Sequence, residues 1–234
     1  MSTSHPASIS DHASAEAARR RRQLGPRVRK LHARIGKAHH RAEGMHFSRA
    51  LLAGEAHPLQ LAALLRALAP AYALLEQNAP ALAAALGATE LPWPDLARST
   101  ALAHDLALLN HLPATPPSAA AAIWLEQLRS LAAQAPHRLM AHVYVRYGGD
   151  LSGGQQLAEQ ARAILRRHGL SDVSFWAFGR DIPSLKQALH DGIEALTLTP
   201  QQEEELLEEA ELAFHATQRL LAELGDLAPT PLPA

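Results

Sequence analysis

Apolar residues recur at helical spacing along most of the chain, and Pro, Gly and capping residues mark where each run begins and ends. Val28 to Leu52 forms the first such run, with Pro26 before it and Gly54 after it. A second extends from Pro58 to about Asn78, where Leu61, Leu64, Leu65, Leu68, Tyr72 and Leu75 make one stripe, and a short helix follows to Gly87. Asp95 is placed to cap a helix carrying Leu102, Leu106 and Leu109 to about Leu112. Further helices are predicted over Ala119 to Gln134, Ile182 to Leu196, and Thr199 to Leu224, the last with an acidic first turn at Glu203 to Glu205 that suits the helix dipole. Only Val173 to Phe178 has strand character, and one isolated strand makes no sheet. The pattern predicts an all-α, single-domain bundle.

His137 to His168 departs from this regularity. It reads as helix at both ends, yet Gly148, Gly149, Gly153 and Gly154 sit within its middle. Each glycine inside a helix costs about 1 kcal/mol relative to Ala, so the cluster needs a compensating role. A phosphate loop does not supply it, because the chain has no G-x-x-x-x-G-K-[ST]. Leu151 to Gln155 matches the signature peptide of ABC-type ATPases, but no nucleotide-binding core accompanies it. Two readings remain on spacing alone: a kinked helix whose backbone lies against a flat ligand, or close helix packing through small residues.

Composition narrows the possible chemistry. The 234 residues include no Cys, which excludes disulfides, thiolate metal sites and cysteine nucleophiles. The 22 basic and 23 acidic residues leave a net charge of −1, unlike a nucleic-acid-binding domain. Aromatic content is 4%, so Ala and Leu must build the core. With no uninterrupted apolar run of membrane-spanning length and no signal-like start, a cytoplasmic protein is expected. The 14 His are unusual, imidazole being both a metal ligand and a group that titrates near neutral pH. Residues 1–24, with the basic cluster Arg19 to Arg22, are expected to form a flexible arm; 25–225 the domain; and 226–234 a Pro-rich tail.

The residues around the glycines decide between the two readings. Tyr144-Val145-Arg146-Tyr147-Gly148-Gly149-Asp150-Leu151-Ser152-Gly153-Gly154-Gln155 resembles the distal-helix signature Y-x-R-Y-L-G-D-L-S-G-G-Q of biliverdin-producing haem oxygenases of the soluble bacterial type. His39-His40-Arg41-Ala42-Glu43 is similar to the H-x-x-A-E motif of that family's proximal helix. Weaker echoes at Tyr72 to Glu76, Arg98 to Leu102, Lys186-Gln187 and Glu208 to Phe214 extend the resemblance over roughly residues 27 to 224.

The resemblance implies a bundle in which haem is sandwiched between a proximal helix and a kinked, Gly-rich distal helix. His39 is then the iron ligand, with Glu43 one helical turn on to hold its second nitrogen, and His40, about 100° round the helix, is the rival. Gly149 and Gly153 let the distal backbone pass close over the porphyrin. Asp150, with Tyr144 and Arg146 behind it, orders waters that deliver protons to the reacting oxygen. Lys186, His190 and His32 fall where the family places partners of the haem propionates, and Tyr144 and Phe214 join the haem contacts. His190 and His32 replace the commoner Arg and Lys, and Gly36 and Gly148 replace Lys and Leu, so fewer fixed charges orient the haem. The α isomer of biliverdin is the expected product, subject to that orientation.

The implied reaction is monooxygenation of haem, both cofactor and substrate, by O₂ to biliverdin, Fe²⁺ and CO. No flavin or nicotinamide fingerprint is present, so electrons must come from a separate ferredoxin, flavodoxin or reductase, with Arg27, Arg29 and Arg34 as candidate docking contacts. A phytochrome is a possible acceptor of the bilin, and a monomer is expected. The alternative is a haem carrier or sensor on the same fold that does not turn over.

Overall fold

The computed structural model describes residues 24–227, so the expected basic arm and Pro-rich tail fall almost wholly outside the described residues. Within them the chain forms ten α-helices and no strand. These are α1 (Pro26–Glu43), α2 (His46–Leu52), α3 (Pro58–Ala85), α4 (Trp93–Leu96), α5 (Ser99–Leu108), α6 (Ala119–Gln134), α7 (Leu139–Asp150), α8 (Gly154–Arg167), α9 (Ile182–Ala195) and α10 (Pro200–Asp226). A 3₁₀ turn, Pro136–Arg138, leads into α7. The long α10 is the spine: it packs along α1 and against α7, with α2, α3 and α6 on its other sides. Its start is fixed by a capping box in which Thr199 and Gln202 satisfy each other's backbone N–H groups.

α3 runs unbroken through Pro70 and Pro80, where the sequence predicted an end near Asn78. Tertiary burial overrides the proline penalty, since Ala71, Tyr72, Leu75, Ala79 and Ala83 are all sealed in the core. Its mean hydropathy of 1.4 over an 18-residue window and its 28-residue length meet the measure of a membrane-crossing helix. Most of that window is buried among α5, α6, α7 and α10, so α3 is a core helix that carries Tyr72 to the centre of the bundle.

The first predicted helix is in fact two. The chain leaves the α1 axis at Gly44, extends at Met45 and re-enters helix at His46. This turn lets Phe47 and Leu51 bury themselves instead of continuing into solvent. The predicted Asp95 helix is also divided. Ala97 is extended, α5 starts after Arg98, and its first N–H groups are capped by Glu76 of α3, which accepts from Arg98 N at 2.6 Å and from Ser99 N at 3.2 Å. The strand-like Val173 to Phe178 segment is a turn, folded over the buried carboxylate of Asp105, which accepts from Ser174 N and Phe175 N at 2.7 to 2.9 Å.

Candidate functional site

α7 and α8 are separate helices joined by the turn Leu151 to Gly153, which is where the sequence predicted a kink. None of the four glycines there has positive φ, so their role is absence of a side chain and not backbone freedom. A Cβ added at Gly149 or Gly153 would meet nothing within 4 Å. At Gly154 it would lie 2.8 Å from Trp176 Cδ1. The packing reading holds at Gly154, which admits an indole, while Gly149 and Gly153 leave an open surface.

That open surface forms one wall of a cleft. His39 and Glu43 of α1, Phe214 of α10, and the apolar Phe47, Leu51, Leu64, Leu68, Phe175 and Trp176 line the same cleft. The His39 ring meets Phe214 edge-on at 5.7 Å between centroids. Its Nδ1 lies 3.5 Å from Glu43 Oε1, the arrangement of a carboxylate orienting a histidine whose other nitrogen is left for a ligand. His40 shares Glu43 only at 3.9 Å, has a side chain 91% exposed, and does not line the cleft.

Asp150, at the end of α7, borders the cleft yet is 4% exposed. Its Oδ2 accepts from the Tyr72 hydroxyl at 2.5 Å, and that hydroxyl accepts from Arg146 Nε at 3.3 Å. Burial raises the Asp150 pKa, while Arg146, the Tyr72 hydrogen bond and Arg98 pull it back. Burial likewise holds Tyr72 well above the usual phenol range, so the phenol is the proton donor of the pair. Tyr147, beside Tyr72 at 5.4 Å between rings, donates to Glu76 at 3.1 Å and extends the network away from the cleft. Sequence reasoning placed Tyr144 behind Asp150, but Tyr72 holds that position. The only sequence signal for Tyr72 was an apolar stripe and a short echo, because its partner is 78 residues away.

Tyr144, Lys186, His190 and His32 do not line this cleft. They gather where α1, α7 and α9 meet, with the Tyr144 and His190 rings 6.3 Å apart. His190 is driven down to about 4, first by burial and then by Lys186 and His32, against weaker opposition from Asp191 and Glu194. Burial and the Glu194 charge push Tyr144 up to about 12. Arg27, a candidate docking residue, is committed internally: it bonds Glu203 at 2.7 Å and the carbonyls of Ile193 and Glu194 at 2.7 and 2.9 Å. Arg34 pairs with Glu204 and Glu211, and Arg29 is exposed.

Fold and site together define an all-helical bundle whose cleft is lined by a histidine with a neighbouring carboxylate and by a glycine-opened, broken helix. The chain belongs to the heme oxygenase family: the family's sequence profile, described as Heme oxygenase, matches residues 28–223. It is 32% identical over 143 residues to heme oxygenase 2 of Synechocystis sp., covering 58% of this chain and 57% of that protein. It is 26% identical over 200 residues to the heme oxygenase of Porphyra purpurea, covering 81% and 82%. Among solved structures it is similar to heme oxygenase from Leptospira interrogans, with TM-score 0.74, 28% identity, and coverage of 82% of this chain and 97% of that one. The heme complex of heme oxygenase-1 from Synechocystis sp. also gives TM-score 0.74, at 27% identity and coverage of 83% and 90%. The chain is a haem-degrading enzyme of this family.

Proposed function

We propose that this chain cleaves haem through a cleft in which His39 is the iron ligand and the Asp150, Tyr72 and Arg146 network manages protons, yielding biliverdin, Fe²⁺ and CO. One observation carries the assignment of roles: a buried, hydrogen-bonded carboxylate borders the same cleft as an oriented histidine and two glycines whose absent side chains leave room for a flat ligand. When bound, haem supplies the iron that activates O₂ and the meso carbon that is oxygenated. Glu43, 3.5 Å from His39 Nδ1, is placed to orient the ring and leave Nε2 to bind metal. Gly149 and Gly153 admit the porphyrin face and exclude a bulky group above it. Asp150 orders water beside the reacting atoms and holds or releases a proton there, with Tyr72 and Arg146 fixing the orientation of its carboxylate.

Lys186, His190 and His32 are proposed to meet the propionates, with Tyr144 packed beside them. An incoming carboxylate would favour the charged form of His190 and reverse the effect of its present neighbours. Electrons are proposed to come from an external ferredoxin, flavodoxin or reductase. Since Arg27 is engaged internally, docking falls to exposed Arg29 and to Arg34. A monomer acting in the cytoplasm, with a phytochrome as bilin acceptor, completes the proposal.

A haem carrier or sensor would need the histidine and the open wall but not a buried carboxylate network, so Asp150 with Tyr72 favours turnover. Adding haemin to the purified protein is expected to give an imidazole-type Soret band, and O₂ with ascorbate or a reductase is expected to give a green product. No Soret change removes the haem reading, whereas a stable complex without green product favours the carrier.

A further inference from the structure

A second buried polar chain lies behind the distal network and touches it at one point. Glu209 on α10 is 1% exposed, His142 on α7 is 0% exposed, and Trp124 on α6 is 4% exposed. The Trp124 indole N–H donates to His142 Nδ1 at 3.2 Å, and His142 Nε2 lies 3.0 Å from Glu209 Oε1. An indole N–H can only donate, so Nδ1 is the acceptor, the ring proton is on Nε2, and it is given to Glu209. Gln127 and Arg138 also donate to Glu209, at 2.7 and 3.4 Å, which leaves the carboxylate fully engaged. None of Trp124, His142 or Glu209 lines the cleft.

The contact point is Arg146, one helical turn beyond His142. Its guanidinium carbon lies 5.7 Å from the centre of the Trp124 ring and 5.6 Å from that of Tyr72. Its hydrogen bonds, to the Tyr72 hydroxyl at 3.3 Å and to Thr217 Oγ1 at 3.4 Å, are long. A flexible side chain with two weak hydrogen bonds takes its position from the aromatic faces it lies over. We propose that Trp124, oriented by His142 and Glu209, is a positioning residue that holds the Arg146 guanidinium against the Tyr72 hydroxyl, and thereby sets the Tyr72 bond to Asp150. The catalytic consequence rests on the function proposed above, while the positioning itself does not.

The chain has three tyrosines, so ¹³Cζ-tyrosine labelling of the haem-free protein gives a readable spectrum in which Tyr72→Phe assigns one signal. Arg146→Gln sets the displacement of the Tyr72 signal that follows loss of the guanidinium. Trp124→Leu and His142→Leu are expected to reproduce most of that displacement in the same direction, with the Tyr144 signal unmoved. His142→Gln, which keeps an acceptor for Trp124 and a donor for Glu209, is expected to restore it. Should Trp124→Leu not fold, Trp124→Phe keeps a ring over Arg146 but lacks the N–H, and is expected to give an intermediate displacement. A Tyr72 signal unchanged in folded Trp124→Phe and His142→Leu, when Arg146→Gln moves it, overturns the proposal and leaves these residues as packing alone.

In the haem complex the leucine variants are expected to lose about tenfold in turnover, the scale of one hydrogen bond to a charged group, at unchanged haem affinity. A displaced signal with undiminished turnover overturns the catalytic part. A wild-type protein that neither binds haem nor turns it over defeats the proposed function instead, and the tyrosine spectrum still decides the positioning.

Discussion

The Tyr72 hydroxyl donates to Asp150 Oδ2 at 2.5 Å, tying the middle of the long apolar helix α3 to the last residue of α7, which borders the cleft. This bond joins the core to the chemistry. Both groups are buried, so removing one takes from the other its shortest hydrogen bond. Tyr72→Phe is therefore expected to lower turnover by roughly 10-fold or more while haem affinity changes little, since hydrogen bonds to charged groups are worth about 1.5–3 kcal/mol. Biliverdin absorbance in single-turnover reactions measures the first effect and Soret titration the second. Wild-type turnover in the variant would show that Asp150 acts without Tyr72.

The two adjacent histidines of α1 are expected to differ sharply. His39→Ala should abolish the imidazole-type haem spectrum and turnover together, whereas His40→Ala, whose side chain is 91% exposed and outside the cleft, should preserve both. Optical spectra of the two ferric haem complexes make the comparison. The opposite result would transfer ligation to His40.

The glycines can be separated by a single methyl group. Gly149→Ala places its Cβ in open space within helix α7, so the haem-free protein is expected to gain about 0.5–1 kcal/mol from helix propensity while haem binding weakens. Gly154→Ala drives a Cβ against Trp176, which is fixed in the core, and is expected to cost about 1–3 kcal/mol. Thermal melting of the haem-free variants, followed by haemin titration, reads both. A Gly149→Ala protein that binds haem as tightly as wild type would remove that position from the porphyrin contact.

His190 gives a pH signature. Its pKa is about 4 in the fold, mainly through burial, against about 6.5 in the unfolded chain, so the unfolded state binds the extra proton between these values. The stability contributed by keeping this ring neutral is complete above pH about 6.5 and is lost as pH falls toward 4. Chemical denaturation of the haem-free protein across that window is expected to show a shallower slope for His190→Gln than for wild type. Parallel slopes would mean the ring is not held neutral.

Much of this was legible in the residues themselves. Helices α6, α9 and α10 follow from periodicity and end signals to within two residues, because Ser118, Asp181 and Thr199 cap them locally. The cluster at Gly148 to Gly154 marked the break between α7 and α8. Other elements depended on distant partners: Glu76 of α3 starts α5, and Asp105 folds the 173–178 segment into a turn. No window of local sequence contains such caps, since each joins side chains and backbone far apart in the chain.

The sequence by itself determined an all-α bundle, the pairing of His39 with Glu43, and the glycine-rich approach to Asp150, because each depends on residues within one or two helical turns. Tertiary structure alone decided which tyrosine serves Asp150. Tyr144 and Tyr72 are both buried, but only the packing of α3 against α7 carries the Tyr72 hydroxyl to the carboxylate, whereas Tyr144 points its ring toward His190. Tertiary packing also withdrew Arg27 from the surface and stacked Trp124 over Arg146. Periodicity tells a residue which face of its helix it occupies. Only the packing of helices tells it which distant group that face will meet.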